Sequence, residues 1–189
     1  RFNQQRGLPL LAGWRVFEQD VNEFDYSAVS GDVSLLAAGP PCQPFSLAGK
    51  HRGEDDRRDM FPAVFEAVRN LRPRAVLVEN VKGLLRQSFA EYFEYLVLQL
   101  TYPELRREDD EDWRDHLSRL EQHHTSAHQL ALEYRVVYRL LNAADYGVPQ
   151  KRERVLFVAF RADLGVEWSF PEPTHSYVRL LWDKFVTGE

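Results

Sequence analysis

Short β-like runs and helical stretches alternate along the chain. Val33-Ser-Leu-Leu-Ala-Ala38 is a short apolar run closed by Gly39-Pro40-Pro41, the form of a buried parallel strand. A polar, glycine-containing loop follows from Gln43 to Asp59. Phe61–Leu71 carries apolar residues at helical spacing, with Asp59 as a cap, Pro62 in the first turn and Pro73 as the stop. Ala75–Val78 is a second buried strand, and Ser88–Leu100 a second amphipathic helix rich in Phe, Tyr and Leu. Tyr134–Asn142 and Val155–Phe160 are two more strand candidates, rich in β-branched residues. Strands joined by helical crossovers predict an α/β fold with a mainly parallel sheet and flanking helices. In such sheets chemistry sits just past the carboxyl ends of strands, where Cys42 and Glu79 both fall.

Charge changes this picture in one region. Thr101–His128 carries eight acids against four arginines, so it reads as a solvated helical insertion too charged for a core element. The whole chain has a net charge of −5, which argues against a strong nucleic-acid binder. Outside the acidic region the balance is near neutral, with basic clusters at Lys50–Arg52 and Lys151–Arg154. A single cysteine excludes an internal disulfide and a multi-cysteine zinc site, and points to a reducing, cytoplasmic setting. No apolar run reaches the roughly 18 residues of a membrane span, and the first residues lack a signal-peptide layout. The start at Arg1 rather than Met suggests a fragment. His124 and His128 have a helical spacing that metals use, but no third ligand follows from spacing, so no metal is expected.

Three elements carry candidate chemistry, and each alone has a bland reading. In Gly39-Pro-Pro-Cys-Gln-Pro-Phe-Ser46, prolines on both sides hold a thiol on a stiff loop, although Pro-Cys-Gln by itself is equally well a structural cysteine. In Val78-Glu-Asn-Val81, an acid ends an apolar strand, where a carboxylate is more often a cap or hydrogen-bond anchor. In Tyr146-Gly-Val-Pro-Gln-Lys-Arg-Glu-Arg154, Arg152 and Arg154 alternate before a strand and so share a face, which is usually plain surface.

Taken together, in this order and separation, these motifs resemble the central motifs of the DNA (cytosine-5)-methyltransferase family. Gly49-Lys-His-Arg-Gly-Glu-Asp55 and Arg57-Arg-Asp-Met-Phe61 resemble the family's loop and following helix start. Phe170-Pro-Glu-Pro-Thr-His175 resembles the stretch leading towards its target-recognition region. The resemblance implies a Rossmann-like, S-adenosylmethionine-dependent methyltransferase fold. It also implies methyl transfer to C5 of cytosine in double-stranded DNA. The thiolate of Cys42 would add to C6, Glu79 would hydrogen-bond N3 and the exocyclic amine, and Arg152 and Arg154 would contact the base and favour the thiolate. The cytosine must be flipped from the stack into the pocket, and the loop from Ser46 to Arg58 is suited to closing over DNA. Ser46 and Lys50 are candidates for phosphate contacts, and Asn80 for a further substrate or DNA contact. Asp20 matches the family acid at the cofactor's adenine, while Pro41 and Met60 match residues lining the same pocket.

The resemblance also implies that the chain is partial. No Phe-x-Gly-x-Gly sequence is present, and Arg1-Phe-Asn3 looks like the helix after the family's ribose-binding acid. Residues 1–175 are read as a partial catalytic domain, with 101–128 as the acidic insertion, and 176–189 as the lead into the recognition region. On this basis the isolated residues are expected to bind S-adenosylmethionine weakly or not at all and not to methylate DNA. The expected setting is a bacterial cytoplasm and a restriction–modification system, with a cognate restriction endonuclease as partner and no membrane. Two alternatives stand beside it: the family's tRNA-methylating branch, and a catalytically idle binding or scaffold remnant.

Overall fold

The computed structural model describes residues 15–41, 59–126 and 128–187. Its strands are β1 (Leu35–Ala38), β2 (Ala75–Val81), β3 (Tyr134–Asn142) and β4 (Glu153–Arg161). Its α-helices are α1 (Phe61–Leu71), α2 (Ala90–Thr101), α3 (Trp113–His124) and α4 (Tyr177–Trp182). The strands form one four-stranded sheet in the order β1-β2-β4-β3.

The sheet is mixed, where the alternation of strands and helices predicted a mainly parallel one. β1 and β2 are parallel, whereas β4 lies antiparallel to both β2 and β3. β1, β2 and β3 therefore point the same way, and the reversed β4 sits between two of them. The cause is the link from Asn142 to Glu153, which is too short for the dozen or so residues of a parallel crossover. It turns back through a single turn at Ala143–Tyr146 and Gly147, whose φ is +86°. A Cβ at Gly147 would lie 3.1 Å from the His175 ring, so positive φ and close approach both call for glycine there.

Side chains alternate across the sheet, and the two faces differ. Val76, Val78 and Asn80 of β2 and Val155, Phe157 and Ala159 of β4 are buried. They join Phe61, Val64, Phe65 and Val68 of α1 and Tyr92, Phe93, Leu96 and Leu100 of α2 in one core. The other face, with Leu77, Glu79 and Leu156, is only half-covered. Its β1 residue Leu35 is 54% exposed.

α1 covers the range its periodicity predicts. Asp59 Oδ1 accepts from Phe61 N at 3.1 Å, and its other oxygen accepts from the Tyr92 hydroxyl, tying the helix start to α2. Arg72, at φ 45°, closes the helix ahead of Pro73. α2 starts later than Ser88, because Gln87–Phe89 forms a separate tight turn.

The acidic region departs further from its expected form. Among its described residues after α2, α3 is the helix, and it is not wholly solvated: Trp113, His116, Leu117 and Leu120 are buried on the face packed against α2. Each fully buried large side chain of this kind contributes about 1.5–3 kcal/mol. The acids lie off that face. Glu111, next to the helix start, is paired with Arg119 at 2.7 Å.

Candidate functional site

The candidate site lies where β2 ends and the antiparallel β4 begins. Register pairs Val81 with Arg154, so Arg154 and Glu79, two residues before Val81, project from the same sheet face. Arg154 Nε forms an ion pair with Glu79 Oε1 at 2.7 Å, and an Arg152 guanidinium nitrogen stands 3.7 Å from the same oxygen. Arg154 is anchored in turn by a bond from Nη1 to the Glu153 carbonyl at 2.8 Å. Glu79 keeps 41% of its side-chain surface exposed, so the carboxylate is oriented yet still open to a ligand.

The parallel ladder brings β1's end to the same place. Pairing of Ala38 with Val78 puts Gly39 beside Glu79, and a Cβ at Gly39 would stand 4.0 Å from Glu79 Oε2. The chain then runs through Pro40 and Pro41 towards Cys42. Cys42, Ser46 and Lys50 lie outside the described residues. Asn80, next to Glu79, points the other way: it is 2% exposed, and its Nδ2 donates to the Pro40 carbonyl at 3.4 Å.

A cleft of about 920 Å³ opens beside this pair and is lined by Lys82, Arg86, Lys151, Arg152 and Arg154. Among the described residues Glu153 is the one acid lining it, and Lys82 pairs with it at 2.8 Å and holds its carboxyl below the usual range. An excess of cations therefore faces this cleft in a chain of net charge −5. Sequence reasoning identified the Lys151–Arg154 cluster but missed Lys82 and Arg86. Their only sequence signal is position just after Glu-Asn-Val, which is weak without the fold.

The expected cofactor residues are less gathered. Asp20 caps the turn Val21–Glu23, with Oδ1 accepting from Asn22 N and Nδ2 at 2.9 Å each. Its exposed carboxylate can still accept from an amino group, which fits an adenine. Pro41 is exposed and Met60 half-buried at the start of α1. His124, singled out for its spacing, shares a hydrogen bond with the Tyr102 hydroxyl through Nδ1 at 2.7 Å. Among the described residues, no three His, Cys, Asp or Glu side chains gather as metal ligands, and no helix is long and apolar enough to cross a membrane.

Comparison with known proteins bears on the same features. A family model described as C-5 cytosine-specific DNA methylase matches residues 11–102 and 115–181. The stretch it passes over, 103–114, lies in the acidic region. The chain is 38% identical over 160 residues to type II methyltransferase M.NgoMIV of Neisseria gonorrhoeae, covering 85% of this chain and 42% of that protein. It is 39% identical over 145 residues to type II methyltransferase M.AquIA of a Picosynechococcus strain, covering 76% and 49%. The chain thus spans less than half the length of these relatives. In fold it is similar to a protein assigned as a DNA modification methyltransferase and encoded within an E. coli prophage. That likeness has a TM-score of 0.51 at 20% identity and covers 84% of this chain and 38% of that one. The architecture is accordingly the α/β fold of S-adenosylmethionine-dependent methyltransferases. By the match of the family model over most of its length, the chain belongs to the C-5 cytosine-specific DNA methylase family.

Proposed function

We propose that the complete gene product transfers a methyl group from S-adenosylmethionine to C5 of cytosine in double-stranded DNA, as part of a bacterial, cytoplasmic restriction–modification system. The observation that carries this reading is the Glu79–Arg154 contact at 2.7 Å, formed at the strand end to which the Pro40-Pro41-Cys42 loop leads. The relatives' description as type II methyltransferases supports the DNA substrate and suggests a cognate restriction endonuclease as partner.

Cytosine C5 is too weak a nucleophile to take a methyl group unaided. In the proposed route the Cys42 thiolate bonds to C6, and the C5–C6 π pair moves to C5, making it nucleophilic. C5 would then bond to the methyl carbon as the sulfonium S–CH3 bond breaks, its electron pair staying on sulfur and S-adenosylhomocysteine leaving. A base removes the proton from C5, the electron pair restores the C5–C6 double bond, and the thiolate leaves. Glu79, carrying a proton at this stage, donates to N3 while its other oxygen accepts from the exocyclic amine, and these bonds strengthen as charge develops on the ring. Arg154 fixes the carboxylate through Oε1, while Arg152, further off, supplies positive charge that favours the thiolate. S-adenosylmethionine, when bound, supplies the electrophilic methyl; Asp20, Pro41 and Met60 would hold it.

The target carbon is hidden in the stacked duplex, so the cytosine is flipped out to reach this site. The cationic cleft and Lys50 of the preceding loop supply positive charge for the DNA backbone, and Ser46 a hydroxyl that can donate to a phosphate. Residues 1–175 form part of the catalytic domain and 176–189 lead towards the recognition region. The 189 residues by themselves are expected not to methylate DNA.

The test is covalent capture of the complete gene product on duplex DNA carrying 5-fluorocytosine, with S-adenosylmethionine present. Fluorine at C5 blocks the final elimination, so a stable adduct is expected, and Cys42→Ser should abolish it. An adduct that survives this substitution refutes the nucleophile assignment.

A further inference from the structure

We infer that Asn80 is a positioning residue that fixes the Pro40–Pro41 segment leading to Cys42, and through it the approach of the thiol. This rests on the reading of Cys42 as nucleophile given above. The observations begin with the ladder between β1 and β2, whose last pair is Ala38 with Val78. Beyond it the chain enters Gly39-Pro40-Pro41, and prolines have no N–H with which to continue a ladder. The segment leading to Cys42 therefore leaves the sheet without the backbone bonds that would hold its direction.

Asn80 supplies a substitute. Its side chain is 2% exposed, which is costly for an amide unless its polar atoms are occupied. Nδ2 donates to the Pro40 carbonyl at 3.4 Å and Oδ1 accepts from Val81 N at 2.7 Å, so the amide is oriented at one end and ties the loop at the other. Strand alternation sets Glu79 and Asn80 on opposite faces of β2. Consecutive residues of one strand thus meet consecutive residues of the loop: Glu79 beside Gly39 on one face, Asn80 on Pro40 at the other. The Glu79 carboxyl and the Gly39–Pro40 segment that leads towards the thiol are held to each other through two peptide units. A substrate-contacting role would need the amide to face the Glu79 side, and it does not.

The proposal separates attack from binding. In the complete gene product, Asn80→Ala should slow single-turnover capture on 5-fluorocytosine DNA, at saturating DNA and per folded molecule, by tenfold to about 100-fold, since misplacement by about 1 Å has effects of that order. The Kd for the same duplex should stay within about twofold. Asn80→Ser, whose hydroxyl can still donate over a shorter reach, should lose less. A raised Kd with an unchanged capture rate would make Asn80 a DNA contact and overturn the proposal, as would two variants with unaltered capture. If Asn80→Ala does not fold, Asn80→Ser carries the test; failure of both to fold also overturns it, because the role would then be stability. Cys42→Ser run in parallel separates this outcome from the parent reading: an adduct surviving there refutes the nucleophile, whatever Asn80 does.

Discussion

Two charge-rich regions of this molecule do opposite things with their charge. Around α3, Glu111 is taken up by Arg119 and Glu104 by Arg72, at 2.7 and 2.5 Å, while the helix's inner face buries Trp113, His116, Leu117 and Leu120. At the ends of β2 and β4, Arg152 and Arg154 converge on one carboxylate, and Lys82 and Arg86 line the adjoining cleft. In the first region local pairing solvates a structural helix. In the second, cations outnumber the acids they face, which leaves a field for an anionic ligand. Density of charge distinguishes neither; its placement on the fold does.

The comparison makes unequal demands on the two regions. The largest expected effect is on the strand-end region: Glu79→Gln in the complete gene product should lower single-turnover methylation by about 10²–10³-fold, the usual range for a lost electrostatic stabiliser. Its melting temperature should barely move, because partly exposed ion pairs contribute about 0–1 kcal/mol. Equal losses of activity and stability would erase the contrast.

Leu120→Ala probes the other side. Leu120 is fully buried, and truncation there should cost about 2–5 kcal/mol in denaturant unfolding. Methylation per folded molecule should be unchanged, and a specific loss of turnover would mean that α3 serves the site.

The smallest effect is a pH dependence. His116 is buried, with Nε2 3.0 Å from the Leu105 carbonyl, an atom that can only accept. Nε2 therefore carries the proton, and Nδ1 accepts from the Tyr95 hydroxyl at 3.3 Å. Burial holds His116 below its ordinary value of 6.5 and pushes the Tyr95 hydroxyl up to about 12. A histidine with a depressed folded pKa binds fewer protons folded than unfolded, so its contribution is present above 6.5 and declines as pH falls below it. His116→Gln should remove that part of the acid-side decline in melting temperature. An unchanged profile would show that His116 is not the group responsible.

Much of the fold was legible because its signals are local. The apolar spacing of Phe61–Leu71, with Pro62 and Pro73 as its limits, predicts the observed α1, and the β-branched run Tyr134–Asn142 coincides with β3. α3 was misjudged because its average charge hid its period: Trp113, His116, Leu117 and Leu120 follow the helical repeat of a buried stripe. The direction of β4 was not legible from strand composition, which is the same for either direction. The length of the link from Asn142 to Glu153 was the available signal. Strand alternation sets Asn80 on the face opposite Glu79, which residue order alone does not convey without the strand.

By itself the sequence determined the kind of chemistry on offer: a thiol stiffened by prolines, a carboxyl at a strand end and two alternating arginines, in an order that marks a family. These are properties of residue type and spacing, and they survive without coordinates. Only the tertiary structure decided which of them meet. Glu79 and Arg154 lie far apart in the chain, and they come to 2.7 Å because β4 enters the sheet antiparallel beside β2 in the register that pairs Val81 with Arg154. A shift of one residue would turn Arg154 to the buried face and part the pair, since register alone sets the face a strand residue occupies.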